Sequence, residues 1–135
     1  MTEPEPPFRL PSDALEYAVL SELWRLGSAS VRQLHERLGV PEGFVYTTTA
    51  KVVDRLREKG LVRRRRKGNT FQYQPRVARE AVERARARNL VTRLLGPVPR
   101  TAVATLVEAV DDVDPELLDA LEQAVVARRR SRHGT

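Results

Sequence analysis

The densest chemistry in this chain lies in residues 44–75, FVYTTTAKVVDRLREKGLVRRRRKGNTFQYQP. Nine Lys/Arg stand there against two acids, a local charge of +7 where the whole chain carries +6. Arg63, Arg64, Arg65, Arg66 and Lys67 are consecutive. Guanidinium and ammonium groups of this kind neutralise phosphates, and nothing acidic nearby in sequence offsets them. Just upstream, Tyr46, Thr47, Thr48, Lys51 and Arg55 gather on or beside one face of a helical pattern. Hydroxyls at a helix start can hold phosphate, threonine can touch a thymine methyl, and lysine can donate to guanine. A double-stranded nucleic acid fits both sets. Arg32, on a preceding short helix, is a further phosphate candidate. The plainer alternative is a solvated helix face and a charged edge strand that resists aggregation.

Other chemistries find little support. There is no cysteine, which excludes disulfides, thiolate metal sites and cysteine nucleophiles. His35-Glu36 resembles the start of a zinc motif, but the second ligand position holds Gly39. His35 is therefore expected to be structural, Trp24 to be core, and His133 to lie in a fraying tail. Asp111, Asp112, Asp114 and Glu116 read as a loop and a helix start rather than a cation site. No phosphate-cradling glycine loop or nucleophile elbow is present, so neither an enzyme nor a cofactor is expected. The pI near 10.4 favours a polyanionic partner. The opening MTEPEPPFRLP is Pro-rich and acidic, unlike a signal peptide, and no apolar run reaches membrane length. A cytoplasmic protein without membrane insertion is expected.

The elements that must position the basic groups follow from periodicity. Residues 1–11 are expected to be a disordered tail. Ser12 or Asp13 caps a helix to about Leu26, with Leu15, Val19, Leu23 and Leu26 on one stripe and Leu20 and Trp24 widening it. Ser30 caps a short helix, VRQLHERL, which buries Val31, Leu34 and Leu38 and stops at Gly39. A third helix starts near Phe44–Tyr46, with Val45, Thr49, Val52, Val53 and Leu56 on its core arc and Thr47, Lys51, Asp54 and Arg55 opposite. After Gly60, strands at Leu61–Arg65 and Thr70–Gln74 turn at Lys67-Gly68-Asn69, with Phe71 and Tyr73 on the core face. Alternation sends Arg63 and Arg65 one way and Arg64 and Arg66 the other. Together these make a winged helix-turn-helix over 12–75: mainly α with a small β-hairpin wing.

Composition shifts after Pro75. Residues 76–96 are Ala/Arg-rich and helical, 100–110 form a further helix, and Asp114-Pro115 opens a last one. Residues 100–127 hold one base and seven acids. Three helices with apolar faces and few aromatics make a thin core alone. A helical dimerisation region is therefore expected over 76–130, through Val82, Leu90, Leu94, Val103, Leu106, Val107, Leu117, Leu121 and Val125, followed by a disordered tail over 131–135. An adaptor that meets an acidic protein, or a regulator released by a small molecule in the apolar tail, remains open beside the nucleic-acid reading.

The stretches LEYAVLSELW, VRQLHERL and YTTTAKVVDRLREKGLVRRRRKGNTFQYQP, with the helical tail, resemble the penicillinase-repressor (BlaI/MecI-like) family over roughly residues 9–127. The resemblance implies a homodimeric repressor on a palindromic operator, dimerised through its C-terminal helices. It also implies a membrane metalloprotease sensor as partner, which relieves repression by cleavage in the C-terminal region. Where the family is cut at Asn-Phe, this chain carries Thr105-Leu106. The cysteine cluster of copper-responsive relatives is missing.

Overall fold

The computed structural model describes residues 7–134, so the expected disordered tail over 1–11 lies outside the described residues as far as position 6. The chain divides into two compact units between Arg88 and Asn89. In the first, Asp13 accepts a hydrogen bond from the Glu16 N–H and starts α1 (Ala14–Leu26), which Gly27 ends. Ser30 and Gln33 then form a reciprocal capping box that opens α2 (Val31–Leu34). From His35 to Gly39 the helix continues as a wider π-helical turn. Helix α3 spans Tyr46–Glu58. Strands β1 (Val62–Lys67) and β2 (Thr70–Pro75) pair antiparallel, Val62 opposite Pro75 and Lys67 opposite Thr70. At the tip Gly68 takes φ +64°, the left-handed region that tight hairpin turns require.

Amphipathic faces set how these elements meet. Val19, Leu20 and Leu23 of α1, Leu34 of α2, and Val52, Val53 and Leu56 of α3 are buried together with Leu61, Val62 and Tyr73. Removing that much apolar surface from water holds the three helices against the base of the hairpin. Ala29 and Tyr73 exchange two backbone hydrogen bonds (2.8 and 3.0 Å), tying the wing to the segment between α1 and α2. Two expectations are corrected. Val45 is 65 % exposed, because it precedes the first turn of α3 instead of lying on its inner arc. Phe71 is exposed as well: the hairpin carries it beyond the core, and only Tyr73 reaches inward.

The head also extends at both ends. Phe8 is buried, and the Arg9 N–H donates to the Lys59 carbonyl (2.8 Å), so ordered structure begins before Ser12. Composition suggests a boundary after Pro75, yet the compact unit runs on through the start of α4 (Arg79–Leu94). Trp24 Nε1 donates to the Val77 carbonyl (3.0 Å), Tyr17 donates to Glu83 (3.4 Å), and Val82 is fully buried in the core of this unit. Val82 is thus a core residue of the head and not, as its periodicity suggests, part of a dimer face.

In the second unit, α5 (Pro99–Val113) and α6 (Pro115–His133) pack on each other. Asp114 accepts from the Glu116 N–H and opens α6 with Pro115 in its first turn. The helix persists to His133, so residues 131–133 are helical where a disordered tail is expected, and Thr135 lies outside the described residues. No residue described from 89 to 134 is buried.

Candidate nucleic-acid interface

The site begins with how α3 is held. Its Thr49, Val52, Val53 and Leu56 face the core, which leaves Thr47, Lys51, Asp54 and Arg55 exposed on the other side. Thr48 is half-buried at the edge, and Tyr46 is half exposed. The first turn is braced from α2. The π-helical turn sets His35 against α3, where Nδ1 shares a 2.8 Å hydrogen bond with Thr49 Oγ1. The His35 ring meets Tyr46 edge to face, with centroids 5.6 Å apart. Gly39 lies beside His35 and Thr49, leaving no room for a Cβ. Val45 supplies no side-chain acceptor at the helix start; its carbonyl accepts the Thr48 N–H (3.0 Å), which leaves the Tyr46 and Thr47 N–H groups without a capping side chain.

The hairpin sorts its charges by register. Arg63, Arg65 and Lys67 share a face with Gln74, Gln72 and Thr70; Arg64 and Arg66 share the other with Tyr73 and Phe71. All five are exposed. Arg64 stacks its guanidinium on the Phe71 ring at 4.1 Å, which keeps the in-plane donors free. Arg63 Nε donates to Gln74 Oε1 and Arg66 Nε to the Gly68 carbonyl, each at 3.3 Å.

Electrostatics separate the free cations from the committed ones. Among the described residues, no carboxylate lies within ion-pair distance of Lys51, Arg55 or Arg63–Lys67. The ion pairs elsewhere in the head involve other bases, among them Arg57 with Asp54 (3.8 Å), Arg32 with Glu36 (3.5 Å), Arg86 with Glu83 (4.0 Å), and Arg25 and Arg37 with Glu22. Arg32 is still largely exposed, as a phosphate ligand must be. Lys59 is different. Its Nζ donates to the buried Glu16 (2.5 Å) and to Ser12 Oγ (2.9 Å), so it belongs to the interior and not to the basic surface. Burial alone would raise the Glu16 carboxyl; the bonds from Lys59 and Ser12 outweigh it and hold the group below the ordinary carboxylate range.

Sequence reasoning missed two residues that shape the site, Phe8 and Arg9, and misplaced a third, Phe71, on the core face. Phe71 braces the wing, and Phe8 and Arg9 hold the far end of α3. Phe8 is the lone aromatic in a Pro-rich segment, the one signal that could have drawn attention to it. The expected dimer residues Leu90, Leu94, Val103, Leu106, Val107, Leu117 and Val125 are exposed, and Leu121 is half-buried. Thr105 and Leu106 lie inside α5, where Thr105 Oγ donates to the Thr101 carbonyl (2.9 Å). Among the described residues no acidic, histidine or cysteine cluster could hold a metal ion, and no helix is long and apolar enough to cross a membrane.

A family model described as penicillinase repressor matches residues 13–127. The chain belongs to the penicillinase repressor family. It is 32 % identical over 121 residues to a transcriptional regulator BlaI of Mycobacterium tuberculosis (strain CDC 1551 / Oshkosh), a match covering 89 % of this chain and 86 % of that protein. The BlaI regulator of strain ATCC 25618 / H37Rv matches equally. Among solved structures, the DNA-binding domain of the repressor BlaI shares a TM-score of 0.47 at 20 % identity, covering 50 % of this chain and 83 % of that one. Oxidized MarR from E. coli gives 0.46 at 23 %, covering 76 % and 75 %. At those scores neither adds to the family assignment. As a penicillinase repressor family member, the chain is a BlaI-like transcriptional regulator and not an enzyme.

Proposed function

We propose that the protein represses transcription by binding duplex DNA as a homodimer on a palindromic operator. Helix α3 enters the major groove, with Tyr46, Thr47, Thr48, Lys51 and Arg55 toward base edges and the nearest phosphates. The wing, Arg63 to Lys67, grips flanking backbone, and Arg32 adds a phosphate contact. The observation that carries this reading is the run of exposed wing cations, together with exposed Lys51 and Arg55 on α3, none of them in an ion pair with a carboxylate among the described residues. A cationic surface of this kind gains affinity by releasing counterions from DNA.

Dimerisation rests on the second unit. The end of α4 exposes Leu90 and Leu94, and α5 and α6 expose Val103, Leu106, Val107, Leu117 and Val125 and bury no residue. A second copy covering these side chains would supply the missing core, and two-fold symmetry would repeat the half-site about one helical turn away. Relief by a membrane metalloprotease sensor is part of the same proposal. A cut at Thr105-Leu106 requires α5 to unwind first, since proteases act on extended backbone.

Fluorescence-anisotropy titration of labelled duplexes across a salt series tests the proposal. Lys51→Ala is expected to weaken operator binding by about 1–3 kcal/mol and to relax base preference at one position per half-site. Arg65→Ala is expected to weaken all duplexes alike and to lower the salt slope by about 0.9 for each phosphate it no longer neutralises. Unchanged isotherms for both variants would refute the interface.

A further inference from the structure

Between the end of α3 and the start of β1 the chain makes an elbow, Glu58-Lys59-Gly60-Leu61. The angle there fixes where the wing lies relative to the groove helix. Local bonds link it to α3: Lys59 N–H to Arg55 O (3.0 Å), Gly60 N–H to Arg57 O (3.1 Å) and Leu61 N–H to Leu56 O (3.0 Å); on the hairpin side the Leu61 carbonyl accepts the Arg76 N–H (2.8 Å). The segment before α1 closes over it. Phe8 is 8 % exposed and belongs to the main core. The Arg9 N–H donates to the Lys59 carbonyl (2.8 Å), and the Arg9 guanidinium reaches the Glu58 carbonyl (3.4 Å). Two of the carbonyls left unpaired at a helix end are thereby satisfied from outside the helix. Gly60, at φ +78°, turns the chain, and a Cβ there would press on the Pro7 carbonyl at 3.0 Å. Beneath, the Lys59 side chain is fixed by Ser12 and the buried Glu16.

We infer that residues 7–12 are a strap that sets the angle between the groove helix and the wing, with Phe8 and Arg9 as positioning residues for DNA binding. The inference rests on the proposed interface and adds to it residues that touch no DNA themselves. The strap's bonds converge on one backbone turn and reach it from a segment nearly fifty positions upstream (Arg9 to Glu58). Breaking them loosens the turn at its α3 end, Glu58 and Lys59, while Leu61 stays held by Arg76 and the helix, the hairpin and their charges stay intact. A wing at a variable angle cannot reach every phosphate once the helix is seated, so its cations stop acting together.

The test is the salt dependence of operator binding by the full-length protein, measured for wild type, Phe8→Ala, Phe8→Leu, Arg65→Ala and the double variant Phe8→Ala/Arg65→Ala. Circular dichroism and urea unfolding set conditions in which each variant is folded. Phe8→Ala is expected to lower the salt slope by about 0.9 for each phosphate the wing no longer reaches, and Phe8→Leu to restore it. In the double variant the effect of Arg65→Ala should shrink, since that side chain is already displaced from its phosphate. A role confined to stability would move the urea midpoint and leave the slope of the folded protein unchanged. If Phe8→Ala does not fold, Arg9→Pro, which removes the N–H bonded to Lys59, takes its place with the same expectation. A full slope in the strap variant, with additive effects of strap and wing, overturns the strap while the interface stands. A wild-type slope near zero, or Arg65→Ala equal to wild type, overturns the interface and the strap with it.

Discussion

Single residues decide whether the groove helix is held rigidly. Thr49 is buried on α3, and its hydroxyl bonds His35 across the turn. Gly39 must lack a side chain for that bond to form. Gly39→Ala is expected to destabilise the head by about 1–3 kcal/mol, the usual range for overpacking, measured by urea unfolding. A variant as stable as wild type would show that the bond is dispensable. Glu16 makes a second test. Its folded-state pKa lies below its unfolded value, so its contribution is present above about pH 4.3 and fades as pH falls through the folded value. The stability gap between wild type and Glu16→Gln should therefore narrow on acidification below about pH 4. A gap that widens instead would contradict the sign of the shift.

At the scale of elements, local rules were enough for most of the head. Asp13 and the Ser30–Gln33 box cap their helices as short-range chemistry dictates, and strict alternation sorts the wing arginines onto two faces. What the sequence hid depends on distant partners. Lys59 looks like one more cation in a basic block, yet its carboxylate is Glu16, 43 positions earlier. Phe8 sits among prolines that advertise disorder, and no local pattern announces the groove it fills. Val82 carries the periodicity of the tail helices but is buried in the head, because Trp24 and Tyr17 anchor the start of α4. Val82→Ala should accordingly lower the stability of the head, by about 1–2 kcal/mol as for other small core truncations. That effect should not depend on protein concentration. A concentration-dependent effect would return Val82 to the subunit interface.

Over the whole molecule, charge and apolar surface are segregated. The wing and α3 cations belong to the head, whereas residues 100–127 carry one base and seven acids, and cations return only at Arg128–Arg130 and Arg132 near the end of α6. The same region exposes the apolar side chains that a partner copy would cover. Leu106→Asp is expected to yield monomers in sedimentation equilibrium. It should also weaken operator binding by at least about tenfold, because the second half-site no longer benefits from a tethered head. A dimeric Leu106→Asp protein with unchanged affinity would place the interface elsewhere.

Hydroxyl-radical footprinting of an operator selected from random duplexes tests most directly whether groove helix and wing engage DNA together. Wild type should protect two symmetry-related stretches about one helical turn apart, each flanked by a backbone protection that Arg65→Ala removes and Lys51→Ala leaves in place. No protection at low ionic strength, or a single stretch unaltered by either substitution, would contradict it.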